Sequence, residues 1–409
     1  MFRIIDIARE ISSGITPLRS NSEYWENGTI PWLKTEQIGE YRIKTTNEFV
    51  TEKALESTGL KLYPKNTISI AMYGEGKTRG NVSIIDCPMT TNQACCNIVV
   101  NESIVAPFYL YYFFKTQYHN LRQLSSGVRK NLNSNDIKNY LINLPNKITQ
   151  QNIVNFLCSI DEKIELNNKI NLELEKFAKT LYEYWFVQFD FPDENERPYK
   201  SSGGAMVYND VLKKEIPIDW EVKNLFEAMD VQYGYPFNTD MFYEESDKDL
   251  IPVVRIRDIL ENTVSAYSSE KVDNKYKLNE KDLVIGMDGN FHMNFWKDNY
   301  SYLNQRSVRI RKKELYNIST FQAYYELMPY IKAREKNISR TTVGHLSDKD
   351  LKRLNIIIPK TNDNFNPTSV FENLLKKVIV NRKEIANLVT LRDFLLPMLM
   401  NGQISITDE

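Results

Sequence analysis

The sequence predicts an α+β protein made by duplication, in the order module, long helix, module, long helix. Two observations predict it. Short anchors recur in the same order in both halves, and each half ends in a long heptad-patterned segment. Ile30-Pro31 recurs as Ile251-Pro252, Met72-x-Gly74 as Met287-x-Gly289, Asn92-Gln93 as Asn304-Gln305, and Tyr111-Tyr112 as Tyr324-Tyr325. Leu132, Asp136 and Pro145 recur as Leu346, Asp350 and Pro359. A period this long excludes a solenoid and indicates two copies of one domain.

The elements follow in order. Residues 1–148 form the first module: TISIAMYG, GNVSIID and ACCNIVV read as strands, FYLYYFFKTQYHNLRQL as an amphipathic helix, and YLINLP as a last strand. Residues 149–190 form the first long helix. Ile153, Leu157, Ile160, Ile164, Asn167, Asn171, Leu174, Ala178, Leu181 and Trp185 alternate in steps of four and three, an a/d seam without Pro or Gly. Residues 191–219 are polar and rich in turn formers, a linker by composition. Residues 220–362 repeat the first module with DLVIGMDG, SVRIRK, FQAYYELMPYIKA and NIIIP. Residues 366–402 are the second long helix, with Leu374, Val378, Asn381, Ile385, Leu388, Leu391 and Leu395 on its seam. Connectivity makes the two helices an antiparallel coiled coil between modules related by a pseudo-two-fold axis, a rod of roughly 50 Å at 1.5 Å per residue. Phe177 and Phe394 fall at matching places in LEKFAKTLYE and LRDFLLPMLM.

Composition narrows the function. Hydrophobic content is 42%, charged content 26% and net charge −1. No apolar run approaches the length of about 20 residues needed to span a bilayer. The N-terminus MFRIIDIARE lacks a secretory signal, so a cytoplasmic location is expected. Cys87, Cys95, Cys96 and Cys158 have no metal-ligand spacing and read as reduced thiols, with Cys95-Cys96 packed as small hydrophobes. No P-loop, H-E-x-x-H, G-x-S-x-G or N-P-P-Y-like tetrad is present, and His119, His292 and His345 read as surface or loop residues. Catalytic residues and metal ligands are therefore none, and any catalysis belongs to a partner.

Loops at equivalent places suit a nucleic acid instead. In the first module Gly74, Lys77, Thr78 and Arg79 combine backbone freedom with cations and a hydroxyl. Asn92 and Gln93 carry amides that can pair with adenine, and Arg129 with Lys130 can reach guanine or phosphate. The second module offers Asp288, Asn290, His292, Asn304, Gln305, Arg306, Arg340 and Thr341. Lys34, Arg255 and Arg257 complete the candidate DNA contacts. Either amide pair can equally be turn-stabilising. Further cations, Lys115, Arg122, Arg309, Arg311, Lys312 and Lys313, lie near these loops in sequence, so a neutral total can hide two basic faces.

Longer motifs carry a family resemblance. They are Phe191-Pro192 with Arg197-Pro198-Tyr199-Lys200-Ser201-Ser202-Gly203-Gly204, Ile216-Pro217 with Trp220-Glu221-Val222, Gly286-Met287-Asp288-Gly289-Asn290-Phe291, and Asn401-Gly402-Gln403-Ile404. Through them the whole chain resembles the specificity subunit of type I restriction–modification enzymes. One difference is the short start, Phe2-Arg3-Ile4-Ile5, although Gly14 aligns with Gly234. The resemblance implies two target recognition domains, each reading half of a bipartite asymmetric duplex DNA target. It implies a helical spacer that sets half-site spacing and docks two adenine-N6 methyltransferase subunits, with motor–nuclease subunits added for restriction. No cofactor is then expected in this chain; S-adenosylmethionine belongs to the methyltransferase partner, ATP and Mg to the motor–nuclease partner. The alternatives are a type IIB-like specificity subunit, a coiled-coil protein-interaction scaffold, and a self-contained methyltransferase, which the missing motifs disfavour.

Overall fold

The structure, a computed structural model, describes residues 1–74, 76–124, 131–336, 344–361 and 365–406. It divides into two compact units, Met1–Glu165 with Asn387–Glu409, and Leu166–Ala386. Each unit contains one module and a part of both long helices.

The first unit is organised by a five-stranded sheet in the order Ala8–Ser13, Cys95–Val100, Ile68–Ala71, Val82–Ile85, Arg42–Ile43. Ile68–Ala71 and Val82–Ile85 are buried at every position. Both strands are covered on both faces, and their serines Ser69 and Ser83 are buried as well, Ser69 donating to Asn97 at 2.9 Å. One face, with Ile68, Ile70, Cys96 and Ile98, packs under the helix Pro107–Thr116. The other, with Ala71, Ile85 and Cys95, meets Leu33 and Met89 beside a small three-stranded sheet. Cys95 and Cys96 therefore point to opposite faces, as neighbours on a strand must. Burial pushes both thiols up to about 12, so they pack as apolar groups.

The second unit repeats this order with Met229–Tyr233, Ser307–Lys312, Leu283–Gly286 and Met293–Phe295. Leu283, Ile285, Val308 and Ile310 share a core with Phe321, from the helix Thr320–Lys336. Val284 faces the other way, toward Val254, Trp296 and Leu303. Duplication is visible in the register. Leu33 pairs in parallel with Thr91 as Val254 does with Leu303.

The stretch read as a linker is folded. Met206–Asn209 and Lys214–Pro217 form an antiparallel hairpin. Phe191 stacks on Tyr199 at 4.6 Å and on Trp220 at 4.8 Å, which ties the segment into the second core. Its polar composition masked two aromatic anchors, Phe191 and Tyr199, that meet Trp220 of the second module.

The long helices run Lys147–Tyr182, followed by a π-helical turn at Glu183–Val187, and Pro367–Met400. Within each unit they lie antiparallel. In the second unit Asn381 donates to Asn171 at 2.9 Å and Asn167 donates to Glu384 at 2.8 Å. The seam asparagines thus satisfy one another or a neighbouring carboxylate, which sets the register. In the first unit Ile153, Leu157, Leu396 and Leu399 share one core. Here one seam position was misread. Leu391 is 44% exposed, and Arg392 is the residue that turns inward. Steps of four and three from Leu374 do land on Arg392; the apolar neighbour distracted from a buried charge. Arg392 donates to Asp161 at 2.6 Å, and Asp161 also accepts from the Tyr112 hydroxyl at 2.7 Å. The carboxylate holds the Arg392 guanidinium above its ordinary range. No helix among the described residues is long and apolar enough to cross a membrane.

Removing one partner of a buried ion pair strands the other charge. Arg392→Ala is expected to cost about 3–5 kcal/mol in urea denaturation of the full chain. The double variant Asp161→Asn/Arg392→Met, which keeps an acceptor for Tyr112 and removes both charges, is expected to recover more than half of that loss.

Candidate nucleic-acid interface

In each unit three segments are tied together at the end of a central strand. In the first, Met72 N–H donates to Ala94 at 2.8 Å, and Leu132 N–H donates to the Met72 carbonyl at 3.1 Å. In the second, Met287 N–H donates to Arg306 at 2.9 Å, and Leu346 N–H donates to Met287 at 2.8 Å. The residue after each strand, the Asn-Gln turn and the residue at Leu132 or Leu346 are thereby brought to one place.

Two glycines press against the Asn-Gln turn from the strand beside it. A Cβ on Gly14 would lie 2.0 Å from the Thr91 carbonyl oxygen, and one on Gly234 would lie 1.9 Å from that of Asn304. No side chain fits at either position. Asn92 N–H donates to Leu33 at 2.9 Å and Asn304 N–H to Val254 at 3.0 Å, so the turns have the same anchorage.

The structure sorts the predicted residues. Asn92 is structural: its Oδ1 accepts from Ala94 N–H at 3.0 Å and from the Cys95 thiol at 3.1 Å. Asn304 accepts from Gln305 N–H at 2.9 Å and is half-buried. Gln305 is exposed; Gln93, also exposed, accepts from the Thr16 hydroxyl. Lys77 is exposed on the hairpin loop, with its carbonyl accepting from the Tyr118 hydroxyl at 2.9 Å. Gly74 turns that loop at φ +136°, and Thr78 is half-buried beside it. Arg79 is half-buried, and its carbonyl accepts from Arg122 at 3.0 Å. Lys34 is held by Glu36 at 2.9 Å and Glu48 at 2.6 Å, which raise its ammonium above the ordinary range.

In the second unit Arg255 donates to the Ser265 carbonyl and hydroxyl at 2.7 Å each, and Arg257, exposed, donates to the same hydroxyl at 3.2 Å. Burial first, then Arg257, pulls the Arg255 guanidinium below its usual range. Asn290 is exposed and His292 half-buried, on a loop closed by Gly286 N–H donating to the His292 carbonyl at 2.9 Å. Asp288 lies 2.6 Å from His345 Nδ1 and 3.6 Å from Arg306 Nε. Arg129, Lys130, Arg340 and Thr341 lie outside the described residues.

In the second module three of the cations near the loops in sequence are committed within the fold. Arg309 is buried against Asp230 at 2.6 Å, and Arg311 donates to Asp282 at 2.6 Å. Lys313 donates to the carbonyls of Phe226 and Glu227 at 2.8 and 2.9 Å. These cations hold the module together. Strand alternation places Arg309 and Arg311 inward where linear proximity to the loops suggested a surface. His345 is exposed, as expected, and also joins Asp288 at 2.6 Å. The signal was available: Leu346 repeats Leu132, so His345 sits on the framework itself.

The family model for the type I restriction modification DNA specificity domain matches residues 1–176 and again residues 217–390. The chain belongs to the type I restriction–modification DNA specificity family. It is 31% identical to the Type I restriction enzyme MjaIX specificity subunit of Methanocaldococcus jannaschii, over 99% of this chain and 93% of that one. It is 33% identical to the Type I restriction enzyme EcoBI specificity subunit of Escherichia coli, over 34% of this chain and 29% of that one. The fold matches the crystal structure of a type I restriction–modification system S subunit from M. genitalium, with TM-score 0.57 and 17% identity, over 97% of this chain and 95% of that one. The relatives are named as specificity subunits, which places this chain among the recognition components of such systems and not the catalytic ones.

The Asn-Gln turn of this specificity-family fold separates structure from surface. Asn92→Ala is expected to lower stability by about 1–2 kcal/mol, because it strands a buried thiol and an N–H. Gln93→Ala is expected to stay within about 0.5 kcal/mol. Thermal denaturation of both variants checks this.

Proposed function

We propose that this chain is the DNA-reading subunit of a type I restriction–modification complex. Each module reads one half of a bipartite, asymmetric duplex target. The long helices set the gap between half-sites and dock two adenine-N6 methyltransferase subunits. Motor–nuclease subunits join for restriction. S-adenosylmethionine serves the methyltransferase, and ATP and Mg serve the motor–nuclease; this chain supplies recognition alone.

The observation that carries the reading is one backbone framework occurring twice with different exposed side chains. A surface that must read different sequences on a common scaffold keeps its backbone ties and varies the groups between them. Lys77 and Arg257, both exposed, suit phosphate contacts, which add affinity without sequence preference. The docking role is supported by apolar side chains left outside the seam. Leu166 is 51% exposed, Phe177 54% and Phe394 64%, on helices whose inner stripe is already filled. Exposed aromatics on an otherwise charged helix suit a partner's apolar face.

Phe177→Asp and Phe394→Asp are each expected to remove one of two methyltransferase sites, weakening that site at least about tenfold. The melting temperature should not change. Titration with the cognate methyltransferase, read by complex mass, checks the stoichiometry. One methyltransferase per wild-type chain would refute paired docking.

The ruler is tested by length. One heptad inserted after Lys169 and one after Lys383, close to the level of the Asn171–Asn381 pair, preserves the seam. Seven residues add roughly 10 Å, about three base-pair steps. Genome-wide methylation mapping is expected to show both half-sites unchanged and the gap longer by about one to three base pairs, at reduced activity. The original gap at full activity would rule out a ruler.

A further inference from the structure

The two frameworks differ at three corresponding places, and we infer that these places select the bases of each half-site: Asp288, Arg306 and His345 in the second unit read a G·C pair, and Tyr73, Ala94 and Asn131 in the first do not. This inference rests on the DNA-reading function proposed above. The correspondence comes from backbone hydrogen bonds and owes nothing to side-chain similarity. Met72 and Met287 make the same two bonds, so the residue following each, Tyr73 or Asp288, is equivalent. Their amides donate to Ala94 and Arg306, which are equivalent in turn. Leu132 and Leu346 donate back to the methionines, so the residues before them, Asn131 and His345, match as well.

The second unit's set has the chemistry of guanine recognition. Arg306 is 61% exposed and donor-only, with Asp288 3.6 Å from its Nε. That contact leaves the terminal nitrogens to meet O6 and N7 of guanine, the commonest bidentate base contact. A carboxylate on a DNA-facing surface repels phosphate, so Asp288 belongs there as a positioning residue. Its Oδ1 lies 2.6 Å from His345 Nδ1, and with that nitrogen donating to the carboxylate the other ring nitrogen, Nε2, faces away from it. The N4 amine of the paired cytosine is the matching donor. Arg306 further holds a left-handed backbone at φ +64°, uncommon for a residue with a Cβ. Such a conformation at an exposed turn marks a site where side-chain aim outweighs local preference.

The first unit has no charge at these positions. Ala94 is 8% exposed and Tyr73 39%. An alanine cannot span the two acceptors of guanine. An amide such as Asn131 suits adenine, and an apolar edge suits the thymine methyl. Unlike half-sites follow from this difference.

The test uses the full chain with its cognate methyltransferase and maps the methylated sequences. Wild type is expected to methylate a bipartite target with a guanine in the half-site read by the second unit. Arg306→Ala is expected to lose preference for that base by roughly ten- to a hundredfold, with the other half-site unchanged. The unchanged half certifies that the protein has folded. Asp288→Ala should relax the same position while leaving the salt dependence of binding alone, which a phosphate contact would alter. The exchange Asp288→Tyr/Arg306→Ala/His345→Asn should remove the guanine requirement completely. A triple variant that still demands guanine, with both half-sites intact, overturns the inference and leaves the DNA-reading function standing. Wild type that directs no bipartite methylation overturns both.

Discussion

The reading surface of each unit depends on a backbone clip at one methionine. Met72 and Met287 end a central strand, and their N–H and C=O groups tie the Asn-Gln turn and the chain at Leu132 or Leu346 to that strand. Backbone bonds do not depend on side-chain identity. A clip of this kind therefore holds three loops in place while allowing their exposed residues to differ. Gly14 and Gly234 reinforce it from the neighbouring strand, because only a missing Cβ allows so close a packing against the turn. Rigid ties beneath variable side chains are what a reader of changing targets needs.

The helices solve a different problem. A purely apolar seam can slip by a turn with little penalty, whereas buried amides and charges cannot. Asn171 with Asn381 in the second unit, and Asp161 with Arg392 and Tyr112 in the first, each leave a costly orphan if misaligned. Register is specified separately in each unit. This frees the outward-facing Leu166, Phe177 and Phe394 from any role in pairing, and their exposure becomes a property of the surface.

Charge is used sparingly. Arg309 and Arg311 look like nucleic-acid contacts in the sequence but are committed to Asp230 and Asp282 within the fold. Among the described loop residues, Arg306 lies beside Asp288 and Lys77 is exposed.

The sequence by itself determined the duplication, the inner strands and main helix of each module and the heptad segments, because these rest on periodic burial that a linear pattern records directly; edge strands such as Ala8–Ser13 and Met229–Tyr233 emerged only in the fold. It determined the family through motifs spread along the chain. It misjudged residues whose role depends on what lies opposite. Arg392 sat on a correct heptad step but looked polar enough to be outside, and only Asp161 across the seam explains it. The 191–219 segment read as a linker until Phe191, Tyr199 and Trp220 met in space. Asn92 looked like a base contact until its acceptor was found on Ala94 and Cys95. His345 is at the surface as expected, and only the fold places Asp288 beside it. Periodicity fixes which side of an element faces inward. Pairing between groups distant in sequence is decided only when the tertiary fold brings donor and acceptor together.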